Sequence, residues 1–524
     1  MSQMKMKRYV SMTWLHPIVM AAIALLLTAS AQAAAPGIKG TTFNLVANPN
    51  YLTQPDGQMI YSWGYGCSST TGITLTPSMA GATCPDMQVP GPTLIVTEGQ
   101  TVTVNLTNHL PAAAGNTSIL FPGFNVTTTG GTPGLLTAEA ATGSSVTYSF
   151  TAGSPGTRAY YSGTQGDLQV EMGLYGVIIV LPSGASSLAC PYHNTMAETV
   201  AETDYRLSTA AYDIAASCYD REYLFQFSEI DPKIHTQAEA QKDKACLVAS
   251  GCMNVATEPY HPNYFMINGR SMPDDMDANY SPQYPHQPYN GDPHMHPGEL
   301  VLLRVVGQGR WQHPFHEHGN HVRILGRDGN LILSATDTTK LAGPLLFTTT
   351  TTPGLAMDGI FYWTGKGLNW DVYGHKKGTG TDGAYAPCVP DANGYYTNAS
   401  GAADSAPNYY EWCQDHTTAL ESFPFGEVQN GGPVTLPDAN IFTNGAWFGG
   451  SPYLGPDATA RATGPNGTTP PSGTIANSPS GEAGFAYMWH SHNEREITTN
   501  NIFPGGMMMM MLVDPRAFQI DESK

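Results

Sequence analysis

The chain of 524 residues carries 42 acidic and 23 basic side chains, which gives a formal net charge of −19. Because nucleic-acid binding depends on neutralising phosphates with Lys and Arg, this balance excludes nucleic acid as a partner. Gly and Pro contribute 56 and 40 residues, whereas charged residues make up only 12% of the chain, a composition typical of a turn-rich all-β protein. A chain of this length predicts two or three domains.

The N-terminal segment, residues 1–33, has the features of a secretory signal peptide. Basic side chains within the first eight positions precede an apolar run from Ile18 to Leu27, and the small-x-small pattern Ala31-Gln32-Ala33 follows. The apolar run is shorter than the roughly 20 residues that a membrane-spanning helix requires. We therefore expect cleavage near Ala33, no transmembrane anchor, and export to the periplasm, the cell surface or the extracellular space.

Residues 36–183 are predicted to form a first β domain. Thr93–Thr107 contains two β-branched runs separated by Glu98-Gly99-Gln100, which is a hairpin signal. Gly173–Leu181 is a largely apolar run, and we expect it in the core. Residues 184–219 then have the character of a linker.

Residues 220–515 are predicted to form a second β domain. Its clearest strand signals are Glu222–Ser228, Tyr264–Gly269, Glu299–Val306, Asp358–Trp363 and Gly484–His490. From about 366 to 480 the chain is rich in Gly, Pro, Asn, Thr and Ser without sustained periodicity, which predicts an irregular insertion. A third complete β-sandwich within this stretch is the alternative.

The eight cysteines are an even number, which is typical of an oxidising compartment. No C-x-x-C pattern occurs, and no cysteine lies in the histidine segments described next, which argues against a thiolate metal site. Spacing does not determine disulfide connectivity, but nearest-neighbour pairing closes the shortest loops. That pairing is Cys67–Cys84, Cys190–Cys218, Cys246–Cys252 and Cys388–Cys413.

Histidines are concentrated in two short segments. His313, His316 and His318 lie in the first and His490 and His492 in the second, five of the 16 histidines in the chain. Since residues i and i+2 of a strand share a face, each segment can present two imidazoles on one side. Imidazole binds copper, zinc, iron and nickel alike, so the pattern predicts a shared metal site without selecting the metal. Two unrelated polar strands with chance histidines are the alternative.

Together these motifs resemble the multicopper oxidase family. Pro90-Gly-Pro-Thr-Leu94 is similar to the opening of the family's first cupredoxin domain, and His313–Gly319 and Trp489–His492 are similar to its later ligand blocks. The resemblance implies an all-β fold of tandem cupredoxin-like Greek-key β-sandwiches, with the long insertion in the second. It also implies an oxidoreductase with copper as its cofactor.

The resemblance further implies a role for individual residues. His313 would be a ligand of the mononuclear copper, Glu496 stands where a further histidine is expected, and Met507 matches the axial methionine with some displacement. The residues implied as ligands of the trinuclear cluster are His316, His318, His490 and His492.

The other ligands of the family pattern are absent. Leu120-Phe121-Pro122-Gly123 and Tyr161-Ser162-Gly163 stand where the first domain of the family carries its histidine pairs, and Ser491 replaces the cysteine of His-Cys-His. The thiolate that makes a blue copper site is therefore missing. We expect a reduced, non-blue site with one or two copper ions that does not sustain four-electron oxygen reduction by the usual route.

Three functions follow as alternatives, each with a metal ion as the expected partner. The first is a secreted copper-binding protein with oxidoreductase ability. The second is a non-catalytic cupredoxin scaffold for metal storage or extracellular assembly. The third is a manganese or iron oxidase, suggested by the acidic charge and by Glu494 and Glu496 near the histidines. A homo-oligomer is compatible with each of them.

Several remaining motifs are expected to be structural. Met507–Met511 is interpreted as a core strand rather than a soft copper site, because Met packs irregular cores well. His321 is expected to be an exposed loop residue, and Tyr160 and Tyr161 to fill the space left by the absent first-domain metal. The groups expected to be solvated are His286, His294 and His296 in a Pro-rich loop and Asp274, Asp275 and Asp277 in an acidic turn.

Overall fold

The computed structural model describes residues 35–79, 81–190, 202–366, 376–377, 387–401, 410–414, 450–454, 475–476, 483–514 and 520. The predicted signal peptide, most of the predicted insertion and the middle of the predicted linker lie outside the described residues. Strands dominate the described part of the chain and helices are few and short, which confirms the all-β class. None of the helices described has the length and apolar character needed to cross a bilayer.

The first part of the chain forms strands β1 to β12. Their bounds are β1 Gly37–Gly40, β2 Thr42–Thr53, β3 Met59–Ser69, β4 Ile73–Thr76, β5 Leu94–Thr97, β6 Thr101–Asn108, β7 Thr127–Gly130, β8 Thr132–Pro133, β9 Ala138–Glu139, β10 Ser145–Thr151, β11 Gly156–Tyr161 and β12 Tyr175–Leu181. Helix α1 is Gly166–Gln169, and 3₁₀ turns lie at Ala112–Ala114 and Ala185–Ser187.

The later part forms strands β13 to β28. Their bounds are β13 Arg221–Ile230, β14 Tyr264–Ile267, β15 His294–Met295, β16 Leu300–Gly307, β17 His313–Glu317, β18 Val322–Arg327, β19 Asn330–Leu331, β20 Leu345–Leu346, β21 Thr348–Thr351, β22 Ala356–Tyr362, β23 Lys376–Lys377, β24 Pro387–Cys388, β25 Gly450–Leu454, β26 Ile475–Ala476, β27 Ala483–Ser491 and β28 Met508–Val513. Helix α2 is Pro232–Glu239, and 3₁₀ turns lie at Ala215–Ser217, Asp274–Met276, Asn398–Ser400 and Glu494–Ile497.

Two five-stranded sheets enclose the first hydrophobic core. Sheet I has the strand order β11-β12-β5-β1-β4 and sheet II the order β3-β2-β6-β10-β7. In β10 the side chains of Val146, Tyr148 and Phe150 are buried and their neighbours are more exposed, so one face of the strand packs inward. Strand β12 is buried along its whole length, which confirms the predicted core strand.

The predicted hairpin between β5 and β6 is wrong. The two strands form where expected, but β5 pairs with β12 and β1 in sheet I, whereas β6 pairs with β2 and β10 in sheet II. The amides of Glu98 and Gly99 donate to the carbonyls of Leu181, the last residue of β12 in sheet I, and Ala152, which follows β10 of sheet II. The turn is therefore a crossover between the sheets, because a period-two pattern predicts strands but not their partners.

Two further sheets enclose the second core. Sheet III has the order β14-β13-β16-β22-β18-β19, with β20 also paired to β18, and sheet IV the order β15-β28-β27-β17-β21, with β25 paired to β27. Sheets I and II use residues 37–181 and sheets III and IV use residues 221–513. The exact domain boundaries, 36–183 and 220–515, stay predictions.

A buried polar network joins the two parts of the chain. The hydroxyl of Thr157 on β11 donates to Asp358 on β22 at 2.6 Å, and the hydroxyl of Tyr212 donates to the same carboxylate at 2.7 Å. Arg304 on β16 lies 3.5 Å from Asp358 and 2.9 Å from Glu222. Each charge in this network has an opposite charge beside it, as burial requires.

Four disulfides and the methionine run agree with the sequence analysis. The disulfides are Cys67–Cys84, Cys190–Cys218, Cys246–Cys252 and Cys388–Cys413, the nearest-neighbour set. They use every cysteine in the sequence, so no thiol is left for a metal. Met507, Met509 and Met511 pack in the second core, which confirms the structural interpretation of the run.

Candidate metal centre

Adjacent strands of sheet IV position the histidines. Strand β17 pairs antiparallel with β27, and His316 lies directly opposite His490 in this register. His318 follows the end of β17 and His492 follows the end of β27. Because side chains alternate along a strand, Phe315 and Trp489 turn into the core while the histidines turn to the other face.

The four histidine rings lie side by side. The ring centre of His316 lies 4.6 Å from that of His318, 5.7 Å from that of His490 and 4.9 Å from that of His492. His318 and His490 approach most closely, with their Nε2 atoms 3.1 Å apart. The first three rings are buried, whereas His492 is exposed and gives the cluster an edge toward solvent.

One pair of nitrogens in the cluster has the spacing of two ligands of a metal ion that prefers imidazole. Two metal–nitrogen bonds of about 2.0–2.1 Å at a tetrahedral angle separate the nitrogens by roughly 3.3 Å, close to the observed 3.1 Å between His318 and His490. Burial, together with the neighbouring His490 and His492, lowers the pKa of His316 to about 4, and burial also lowers the pKa of His490. The rings of His316 and His490 are therefore neutral at neutral pH, which is the form that binds a metal.

Hydrogen bonds at Nδ1 orient two of the rings. His490 Nδ1 donates to the carbonyl of Ser491 at 2.7 Å, and His316 Nδ1 is hydrogen-bonded to the hydroxyl of Thr348 at 2.8 Å. A neutral imidazole that donates from Nδ1 carries its lone pair on Nε2. In His490 Nε2 is then the donor atom for a metal, and outer partners of this kind fix the tautomer of metal-binding histidines.

We expect Thr348→Val to weaken copper binding by about tenfold, because it removes the hydroxyl that orients His316 while keeping the side-chain shape. Competition titration with a chelator of known affinity measures the change. Thr350→Val is the matched control, since Thr350 is exposed on the same strand, β21. Equal affinities in the two variants would contradict a role for the Thr348 hydroxyl.

His313 does not join the histidine cluster. Three positions separate it from His316, so alternation along β17 turns it to the opposite face. Its ring is fully buried, with Nδ1 2.8 Å from Glu496 Oε2 and Nε2 2.9 Å from Glu229 Oε2. Burial alone would lower the pKa of His313, but hydrogen bonds to the two glutamates raise it to about 9. An imidazolium that donates from both nitrogens has no lone pair for a metal.

The hydrogen bonds of His313 belong to a longer buried chain. The Tyr260 hydroxyl lies 3.0 Å from Glu229 Oε1 and 2.6 Å from Glu171 Oε2, which connects His313 to the first part of the protein. At the other end the Ser491 hydroxyl donates to Glu496 Oε2. Hydrogen-bonded acids and bases therefore occupy the surroundings of His313, Ser491 and Glu496, the residues that the resemblance aligns with a mononuclear copper site.

Met507 and Glu494 also lie away from the cluster. The Met507 side chain is completely buried and packs in the second core, while its backbone amide donates to the carbonyl of Glu496 at 2.8 Å. Glu494 is exposed. The structure thus brings together four of the seven residues predicted for metal binding and directs Glu496, His313 and Met507 to other contacts.

Among the described residues only one group of three, Glu202, His296 and Glu299, has its potential ligand atoms all within 4.8 Å of one another, and the four-histidine cluster does not meet this distance. Arg221 lies against both carboxylates, 2.6 Å from Glu299 Oε2 and in contact with Glu202. His296 Nε2 lies 2.8 Å from Glu202 Oε1. Because Arg221 contacts both carboxylates and His296 contacts Glu202, we interpret this group as a buried ion network rather than a metal site.

Three expectations about solvated groups are wrong. His294 and His296 are buried, because β15 pairs with β28 at the edge of sheet IV. Asp275 is completely buried, although Asp277 of the same turn is exposed. His321 is half-buried, with its ring 5.1 Å from that of Phe347. Turn-like composition predicted loops at these places, but it carried no information on what packs over them.

Tyr160 is buried in the first core, and its hydroxyl donates to the carbonyl of Pro92 at 2.7 Å. Tyr161 is only half-buried and pairs with Leu120 through a backbone bridge. The two segments that the resemblance aligns with histidine pairs are therefore neighbours. The residues in these two segments take part in core packing and in backbone pairing.

The sequence analysis did not identify the residues that form hydrogen bonds or ion pairs with the predicted metal ligands. Glu229 lies on β13, which is buried on both faces, and Glu171 and Tyr260 lie in connecting segments. No local pattern marks them, because their partners are distant in sequence. Thr348 belongs to a run of threonines typical of a strand, but only the β17–β21 register places it beside His316.

Comparison with known protein families agrees with this architecture. Residues 70–185 and residues 256–354 each match a family model described as multicopper oxidase. The two matched segments, within an all-β fold of paired sheets, support assignment of the chain to the multicopper oxidase family, whose cofactor is copper and whose members are oxidoreductases. No match was found among curated proteins.

Solved structures with similar folds include several multicopper oxidases. A multicopper oxidase called mgLAC is 15% identical, with a TM-score of 0.42 over 90% of this chain and 85% of the other. A blue copper oxidase from Nitrosomonas europaea gives the same values. Fet3p, a multicopper oxidase that functions in iron import, is 20% identical, with a TM-score of 0.37 over 61% of this chain and 45% of the other.

Proposed function

We propose that this protein is an exported copper-binding oxidoreductase whose metal is held only by His316, His318, His490 and His492, as one or two ions. The observation that carries the proposal is the 3.1 Å approach of His318 Nε2 to His490 Nε2 between neighbouring strands. Export is supported by the signal-like segment at residues 1–33 and by the four disulfides.

In this proposal Glu496, His313 and Met507 are not metal ligands. Both nitrogens of His313 are engaged by carboxylates, and the Glu496 carboxylate is engaged by His313 and Ser491. If a metal cation bound these carboxylates in place of His313, the buried imidazolium would lose its counter-charges. The network therefore favours the complete absence of a mononuclear copper site over a mononuclear site in which only the cysteine ligand has been replaced.

The chain's own residues would bind and orient copper and limit its contact with water. Copper, when bound, would supply one-electron redox chemistry. His316 and His490 would present Nε2, held by Thr348 and by the Ser491 carbonyl. The exposed ring of His492 leaves one side open to a small reductant, while Trp489 and Phe315 close the other side with core packing.

Spectroscopy and metal analysis test the proposal. We expect one or two equivalents of copper without an intense absorption band near 600 nm, since every cysteine is in a disulfide and a blue site needs a thiolate. Phenol oxidation should be absent or very slow, because the first-domain histidine positions carry no imidazole. An intense blue band, or rapid phenol turnover, would overturn the non-blue assignment, and an absence of copper would favour a scaffold role.

A further inference from the structure

The acidic turn after β14 contains a buried carboxylate without a hydrogen bond. Asp275 lies in the 3₁₀ turn Asp274–Met276, and its side chain is completely inaccessible to solvent. Neither of its carboxylate oxygens has a hydrogen-bond partner among the described residues. A buried charge normally requires a partner, because its desolvation costs several kcal/mol in the absence of one.

A second buried carboxylate, Asp292, lies in the segment that packs against this turn. The amide of Gly291 donates to the carbonyl of Asp275 at 2.7 Å, which places the segment with Asp292 against the turn. Asp292 is 1% exposed, and its Oδ1 also lacks a hydrogen-bond partner in the described part of the chain. Burial raises the pKa of Asp275 well above its usual value, and the charge of Asp292 adds to this effect.

His294 contacts one oxygen of the Asp292 carboxylate. Its Nδ1 lies 2.6 Å from Asp514 Oδ2, and its Nε2 lies 3.4 Å from Asp292 Oδ2. This carboxylate–histidine–carboxylate arrangement fixes one oxygen of Asp292 and leaves the other, Oδ1, for a different contact. Asp514 belongs to the end of sheet IV, so the support is part of the fold rather than of a loop.

The one arginine nearby does not form an ion pair with Asp275 within the described structure. The Arg270 side chain donates to the carbonyls of Gln287 at 2.7 Å and Asp277 at 2.9 Å, and its guanidinium lies 4.5 Å from the ring centre of Tyr284. Its charge lowers the pKa of Asp275, but less than burial raises it.

We propose that Asp275 and Asp292 form a second cation site, distinct from the histidine cluster, that takes an oxygen-preferring divalent ion such as Ca²⁺ or Mn²⁺. Asp275 supplies up to two oxygens and Asp292 supplies Oδ1, which are ligands that both ions accept together with carbonyls and water. The ion supplies the positive charge that Asp275 lacks and a partner for Oδ1 of Asp292. This site stands independently of the proposed copper site.

The test uses the full mature protein after removal of bound metal with a chelator. Ca²⁺ alone and Mn²⁺ alone are titrated by calorimetry, and the melting temperature is recorded with and without each ion. The variants are Asp275→Asn, which keeps the shape and removes the charge, and Asp292→Asn. Asp277→Asn is the matched control, because Asp277 is exposed on the same turn.

We expect the wild type and Asp277→Asn to bind one equivalent of Ca²⁺ or Mn²⁺ and to melt at a higher temperature with it. Asp275→Asn and Asp292→Asn should lose that equivalent and the thermal response. A protein lacking His316 and His490 should keep both, which separates this proposal from the copper site. A wild type that responds to neither ion would overturn the proposal, as would an unchanged equivalent in Asp275→Asn. The ion that binds more tightly identifies the class of cation.

Discussion

The double variant His316→Ala/His490→Ala is expected to lose copper while keeping its fold. The two residues face each other across β17 and β27, so the change removes a ligand from each strand. We expect copper affinity to fall by more than about 100-fold, beyond the loss that an outer-shell partner causes. Copper per protein molecule after dialysis against a weak chelator, measured by elemental analysis, gives the result.

Two exposed histidines elsewhere supply the matched control. His109→Ala/His261→Ala removes the same number of imidazoles from the surface, and both residues are exposed. This control should bind copper like the wild type, and both double variants should show the same far-ultraviolet circular dichroism. Equal copper content in the two double variants would reject the histidine cluster as the binding site.

The sequence predicted the strands of the site better than their partners. The apolar run in β12 identifies a strand and its burial, because these depend on local composition. Partner choice depends on residues far apart in the chain. The crossover at Gly99 therefore escaped a pattern that indicated a hairpin.

The same distinction explains the candidate site. The i and i+2 spacing of His316 with His318 and of His490 with His492 places each pair on one face, and the structure brings these pairs together. The assignment of His313 as a copper ligand was based on the family resemblance rather than on strand geometry. Three positions in a strand reverse the face, so alternation along β17 was already enough to separate His313 from the others.

Glu496 illustrates that the contacts of a polar side chain cannot be predicted from the local sequence. As a carboxylate near histidines it is an acceptable metal ligand. Its hydrogen bonds with His313 and Ser491 are known only from the structure. Asp275 shows the reverse case, since its turn-like neighbours predicted a solvated loop and the fold buries it. Burial of single polar residues depends on which distant segments cover them, and that information is not local.

The single substitution His313→Gln is expected to destabilise the protein by about 3–5 kcal/mol at pH 7, because it leaves the buried carboxylates of Glu229 and Glu496 without their cation. Urea denaturation followed by tryptophan fluorescence measures the change, and Trp311 reports locally since its amide donates to Glu229 at 2.8 Å. The triple variant His313→Gln/Glu229→Gln/Glu496→Gln removes all three charges and should recover part of the loss. Equal stability of wild type and the single variant would contradict a charged His313.

The wild type is also expected to lose stability as the pH rises from about 7 to 10. The pKa of His313 is raised to about 9 in the folded protein, against about 6.5 in an unfolded chain. A group whose folded pKa is raised contributes its full stability below the unfolded pKa and loses it as the pH rises through the folded pKa. This contribution is about 3 kcal/mol at 1.36 kcal/mol for each pKa unit. The triple variant lacks the titrating group and its two acids, so the difference in unfolding free energy between wild type and triple variant should fall by that amount between pH 6.5 and pH 10. A difference that is constant over this range would show that His313 is neutral in the folded protein and would reopen its ring nitrogens to a metal.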